Sequence, residues 1–189
     1  MINLSADERK LAHDRLCFFR GISEIPGYGR FYSADPRFPC SVAVPGSPRF
    51  VYHRWDEEFL GVTFDIRGEE TVAVFRTDFR ERAGYDPMAR DVVQGRADEV
   101  AYAEDFERNS YRAGASSRAR IRRRSDRVAG LVAHRVDYAN GWQRIFFLDP
   151  NHVQWNIHNR GVDAQSYARI TASFAFLPRD YFTEIANLT

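Results

Sequence analysis

The sequence predicts one α+β domain, a mostly antiparallel, strongly bent sheet or partial barrel with a few flanking helices. Three observations predict it. Several segments alternate apolar and polar residues with the two-residue period of a strand, His152 to His158 most cleanly. Turn signals link such segments in hairpin order, with Asn140-Gly141 between two of them. The helix signals are short and stand apart from the strand-rich stretches, unlike the regular alternation of an α/β chain. A chain of 189 residues suits a single domain with its own core, and neither a repeat nor a linker divides residues 1–189.

Taken in order, Ser5-Ala6-Asp7-Glu8 has the form of a capping box, so a helix is expected from Ser5 to about Cys17. Leu11, Leu16 and Phe19 would form its buried stripe. From Gly21 to Pro48, prolines and glycines recur so often that a long loop is expected, with one short strand near Val42-Ala43-Val44. Phe50 to Trp55 reads as a strand. Leu60 to Ile66 and Thr71 to Thr77 read as a hairpin turning at Arg67-Gly68-Glu69-Glu70. Asp86-Pro87 combines an N-cap residue with proline at the first helical position, which starts a short helix ending near Gly95. A second helix spans about Asp98 to Arg112, with Val100, Ala103, Phe106 and Tyr111 on one side. Beyond the small-residue link Ala113 to Ser117 the expected elements are strands: Val128 to Tyr138 as one, Trp142 to Leu148, His152 to His158, and Ala168 to Phe176. A short helix from Pro178 to Leu188 closes the chain.

The composition excludes several classes. With 44% hydrophobic and 14% aromatic residues, enough apolar surface exists to offset the entropy of ordering. No apolar run approaches the roughly 20 residues of a membrane helix, and the first residues lack the plan of a signal peptide. A soluble, cytoplasmic protein without a membrane partner is expected. Cys17 and Cys40 match neither a zinc knuckle nor a redox pair and are expected as buried free thiols.

No motif names a reaction, and no cofactor is implied. The strongest functional signal is the segment Arg118 to Arg127, with six arginines against one aspartate in a chain whose formal net charge is only +1. A guanidinium presents a planar donor fork suited to phosphate oxygens. If this segment is extended, Arg118, Arg120, Arg122 and Arg124 share one face, about 6–7 Å apart, near the phosphate spacing of a single strand. The expected function is therefore a binding protein that contacts a phosphate-bearing partner, nucleic acid or a nucleotide, through Arg118, Arg120, Arg122, Arg123 and Arg124. Tyr111, Tyr138 and Trp142 would offer stacking platforms. The structural alternative is a solvated sheet edge whose charges pair with Asp98, Glu99, Glu104, Asp105 and Glu107 and block edge-to-edge association.

A rival from another class is an enzyme with a small-molecule pocket in the β-region. His134 would act there with His158, Asn156 or Asp137 as acid/base or orienting groups. His152 and His158 share one strand but lie about 20 Å apart, too far for one metal ion. The polar row His152, Gln154, Asn156, His158 is either the solvent face of the sheet, which the ordinary antiparallel pattern favours, or the wet lining of a ligand site. The two proposals differ on which way that row points. Oligomerisation is compatible with both.

Overall fold

The computed structural model describes residues 16–54, 59–111 and 120–186, with Ser5, Asp7 and Lys10. These residues contain eleven strands and five helices: β1 (Cys17–Arg20), β2 (Tyr28–Ser33), β3 (Cys40–Pro45), β4 (Arg49–Arg54), β5 (Phe59–Arg67), β6 (Glu70–Asp78), α1 (Phe79–Arg82), α2 (Pro87–Val93), α3 (Glu99–Tyr111), β7 (Arg120–Val128), β8 (Leu131–Tyr138), β9 (Gln143–Leu148), β10 (Val153–Arg160), α4 (Ala164–Ser173), β11 (Ala175–Phe176) and α5 (Arg179–Ala186). The strands form two antiparallel sheets, of order β1-β2-β3-β11 and β4-β5-β6-β10-β9-β8-β7. The fold class is the expected one, an α+β domain dominated by antiparallel strands. The sheet does not close on itself.

The two sheets pack face to face, with alternate side chains of their strands turned into the space between them. Leu60, Val62 and Phe64 of β5 and Val72 and Val74 of β6 are fully buried on the inner side, facing Phe31, Val42 and Val44 of the small sheet. Phe31 sits edge-on to both Phe50 and Phe64, with centroids at 5.6 and 5.4 Å. Trp155 of β10 meets Phe38 at a tilt at 5.3 Å, and Phe174 and Phe176 edge-on at 5.4 Å. Edge-to-face pairs of this kind each add about 0.5–1.5 kcal/mol beyond burial. Helix α5 covers the outer side of the small sheet, packing Tyr181 and Ile185 on Phe18, Ala34 and Leu177. On the outer side of the large sheet lie α1, α2 and α3. Phe79, Ala89, Val92 and Tyr102 gather there against Leu148, and Ala103 packs on Val136 and Phe146.

Most of the β-region follows the expected plan, but four elements differ. Most of the helix expected from Ser5 lies outside the described residues, while Cys17 to Arg20 is strand β1, entered through a bend at Leu16 with φ of +58°. Phe19 therefore packs from a strand, its ring 6.2 Å from that of Phe50. The expected loop from Gly21 to Pro48 contains β2 as well as β3. Its glycines permit the pairing: a Cβ at Gly29 would lie 2.4 Å from the Phe19 ring. The single strand expected from Val128 to Tyr138 begins with the last residue of β7, turns at Ala129 and Gly130, both at positive φ as in a tight hairpin, and continues as β8.

The strand expected from Ala168 to Phe176 is mostly helix α4. Tyr167, Ile170, Thr171 and Phe174 recur at helical spacing and are buried, whereas Ala168 and Ala172 face outward. Asp163 caps it, accepting from the backbone amides of Gln165 at 3.0 Å and Ser166 at 2.9 Å. Helix α4 joins the core beside β3, where the Ala43 amide donates to Ser173 Oγ at 2.9 Å. Cys17 and Cys40 are free and buried, and burial pushes the Cys40 thiol well above its ordinary range.

Candidate functional site

The alternation of β10 divides its residues between two environments. Val153, Trp155 and Ile157 enter the core between the sheets, while Gln154, Asn156 and His158 point to the side covered by α1–α3. The polar row is therefore not the solvent face that the antiparallel pattern favours. Gln154 and Asn156 are only 2% and 6% exposed, because the helices bury that face. With Arg144 of β9, Phe59 of β5, Phe75 and Thr77 of β6, Arg82 of α1 and Tyr102 of α3, they line a cleft of about 160 Å³. His152 lies outside the strand, in the turn before it, and its carbonyl accepts from the Phe79 amide at 3.0 Å.

At the floor of the cleft runs a chain of polar side chains with a defined direction. Arg144 Nε donates to Asn156 Oδ1 at 2.8 Å, and Asn156 Nδ2 donates to Gln154 Oε1 at 3.4 Å. Gln154 Nε2 ends the chain, buried and without a hydrogen-bond partner among the described residues. A buried donor left unmet costs about 1–3 kcal/mol, so such atoms are rare in native proteins and call for an explanation. The guanidinium of Arg144 also lies 4.8 Å from the centre of the Phe146 ring.

The wall is aromatic. Phe59 and Phe75 stack at 5.5 Å with 24° between their planes, and His158 meets Phe75 edge-on at 5.6 Å. The roof is organised by Asp86, which caps α2 by accepting from the amides of Met88 and Ala89 through Oδ1. Its other oxygen accepts from Arg82 Nε at 3.1 Å and the Tyr102 hydroxyl at 3.4 Å. One carboxylate thus ties α1, α2 and α3 together. Burial is the main cause that pushes the Tyr102 phenol well above its ordinary range, so it remains a neutral donor.

The four residues expected to share acid/base work occupy three places. His158 and Asn156 line the cleft. His134 is on the same side of the sheet but pairs across from Phe146, one strand beyond Arg144, and its Nε2 lies 3.2 Å from Glu99 Oε1. Asp137 points to the other side, accepting from Gln143 Nε2 at 2.9 Å, with Arg124 at 3.9 Å. Arg144, Tyr102 and the Phe59–Phe75 wall were not singled out from the sequence. Only the alternation Arg144, Phe146, Leu148 on β9 could have pointed to the arginine.

The arginine run forms β7, extended and at the edge of the large sheet. Arg118 lies outside the described residues. Between Arg120 and Arg122 the register shifts by one residue, so Arg120 pairs with Tyr138 and Arg122 with Asp137, neighbours on opposite faces of β8. The bulge interrupts the single row of arginines that a regular strand would present. Arg122, Arg123 and Arg124 are exposed. Arg123 Nη1 meets Glu104 Oε1 at 2.8 Å, one of the expected acidic partners, while Arg122 and Arg124 share the opposite face.

Comparisons with known proteins bear on the fold alone. No family model matches the chain, and no curated protein matches it. Among solved structures, the chain is similar to the solution structure of cyanobacterial PsbP (CyanoP) from Synechocystis sp. PCC 6803. The match has 11% identity and a TM-score of 0.56, over 82% of this chain and 95% of that one. Among the described residues no helix is long and apolar enough to cross a membrane.

Proposed function

We propose that this chain is a small-molecule-binding protein whose ligand site is the cleft between the large sheet and α1–α3. The observation that carries the proposal is the buried polar chain of Arg144, Asn156 and Gln154, which ends on a donor with no partner among the described residues. A stable fold gains nothing from such an atom, whereas a ligand acceptor placed over it makes use of it. An aromatic wall beside a few convergent polar groups is the ordinary make-up of a small-molecule site. His158 at the rim is the group available for proton transfer should the bound molecule react, with Asn156 as its neighbour on the same strand face.

The test is an amide chemical-shift titration of the labelled protein with a library of one-ring compounds. Shifts confined to β6, β9, β10 and the α1–α3 roof are expected. Binders that perturb only other regions would overturn the assignment.

A second proposal keeps the phosphate-bearing partner, nucleic acid or nucleotide, at β7. What favours it is the exposure of Arg122 and Arg124 side by side on one face of an edge strand. It predicts salt-sensitive binding of single-stranded oligonucleotides, with shifts on β7 and none in the cleft.

A further inference from the structure

We infer that the cleft takes an uncharged one-ring carbonyl compound, its oxygen between Gln154 and Thr77 and its ring along Phe59 and Phe75. The inference rests on the cleft being a ligand site and adds what the ligand is. Strand register lays the outer face of the large sheet out in rows. Phe59, Thr77 and Gln154 stand side by side in one row, and Phe75 and Asn156 in the next. Arg144 lies opposite His158, in the third. The cleft therefore has a cationic end and, at Thr77 and Gln154, a neutral one.

The direction of the Gln154 amide is set from the cationic end. A guanidinium only donates, so the Asn156 oxygen faces Arg144 and the Asn156 amide faces Gln154. Gln154 Oε1 is then turned toward Asn156, which leaves Nε2 as the unmatched donor. Arg144 itself stays away from that donor. It stands four residues along β9 from Leu148, the partner of Gln154, which is about 13 Å of strand.

The head group follows from what surrounds Nε2. Thr77 is directly opposite Gln154 on β6 and also lines the cleft, and its hydroxyl rotates to suit a partner. Side chains so placed start about 5 Å apart, close enough for both to reach one oxygen. A carbonyl oxygen has two lone pairs and no proton, so it accepts from both, whereas an alcohol brings a further donor. Gln154 and Thr77 are at most 5% exposed, so the group between them gives up its water. Two neutral donors do not offset that loss for a carboxylate. Arg82, a further cation on the cleft, is already paired with Asp86 at 3.1 Å.

Size sets the rest. A cavity of roughly 150 Å³ accommodates benzene, and this cleft measures about 160 Å³. One ring with a small substituent fills it, lying along Phe59 beside Thr77 and Phe75 in the next row.

The experiment titrates the full chain with acetophenone, isopropenylbenzene and benzoate, following amide shifts and calorimetric affinity. Isopropenylbenzene has the shape of acetophenone with a methylene in place of the oxygen. Acetophenone is expected to bind at least tenfold more tightly than benzoate. Its affinity should fall by a factor of about 5–100 in Gln154→Leu, which leaves a buried acceptor short of its donor. In Thr77→Val, where the Gln154 donor remains, a factor of about 2–10 is expected. Isopropenylbenzene should bind both variants at least as well as the wild type, which reports that the cleft is still formed. In the wild-type protein, the carbonyl stretch of bound acetophenone should lie below its frequency in hexane. Benzoate binding as tightly as acetophenone, the two isosteres changing alike in the variants, or an unshifted carbonyl stretch would each overturn the carbonyl assignment and leave the cleft a ligand site. If none of the three compounds perturbs the cleft, the small-molecule site falls with it.

Discussion

Gly61 shows how one residue shapes the cleft from behind. It sits on β5 opposite Phe75, and a Cβ added there would lie 2.2 Å from a carbon of the Phe75 ring and 2.9 Å from the Val74 carbonyl. Glycine lets the ring lie flat across the neighbouring strand, which is how Phe75 comes to stack on Phe59. In Gly61→Ala the ring must swing toward the cleft or the strands must part. The expected cost is about 1–3 kcal/mol, the usual range for overpacking a well-filled site, read from chemical denaturation. The same variant should lose the affinity of one-ring ligands, because the displaced ring occupies their space. The glycine itself is plain in the sequence, as is the alternation of its strand. That it supports Phe75 is not, since the contact depends on register across two strands. Gln154 is a similar case. Its place in a polar row on one strand face is legible, but its missing partner is a property of everything packed around it.

At the level of elements, the roof is held to the sheet by the apolar clusters around Phe79 and Ala103, and its helices are tied to one another by the Asp86 carboxylate. Asp86 was visible as a helix cap because capping is local: an Asx residue before proline is enough to predict it. Its second duty, drawing Arg82 and Tyr102 onto one oxygen, brings in residues four and sixteen positions away and has no local signature. The two duties can be separated by substitution. Asp86→Ala removes the cap and both side-chain ties and should destabilise the protein by about 2 kcal/mol. Asp86→Asn keeps an acceptor for the Met88 and Ala89 amides but loses the charge that holds Arg82, so about half that loss is expected. Hydrogen exchange should show the change concentrated in α1–α3, with β2 and β3 protected as before. Uniform loss of protection across both sheets would mean that the roof is not a separate unit. Legibility failed where two periods coincided. Ala168, Ile170, Ala172, Phe174 and Phe176 alternate like a strand, yet Tyr167, Ile170, Thr171 and Phe174 also fit a helix, and the Asp163 cap settles the matter.

For the whole molecule, hairpin order was legible because each pairing from β4 to β6 and from β8 to β10 is set by neighbouring segments and their turns. The closing of two sheets into one core was not, since it depends on faces far apart in sequence. The large sheet keeps two open edges, β4 and β7. An open edge is a template for pairing with another chain, and charged side chains are a common defence. Six arginines near β7 in a chain of net charge +1 therefore have a structural use as well as a binding one. The two uses predict different behaviour for the double substitution Arg122→Thr, Arg124→Thr. If the arginines guard the edge, the protein should keep its midpoint of unfolding within about 0.5 kcal/mol, as surface changes usually do, but self-associate at micromolar concentration by light scattering. If they contact phosphates, the variant should stay monomeric and lose oligonucleotide affinity. The slope of log affinity against log salt should then fall by about 1.4, from two lost contacts at about 0.7 each on a single strand. Retained binding with an unchanged slope would remove Arg122 and Arg124 from the phosphate proposal, whatever the oligomeric state.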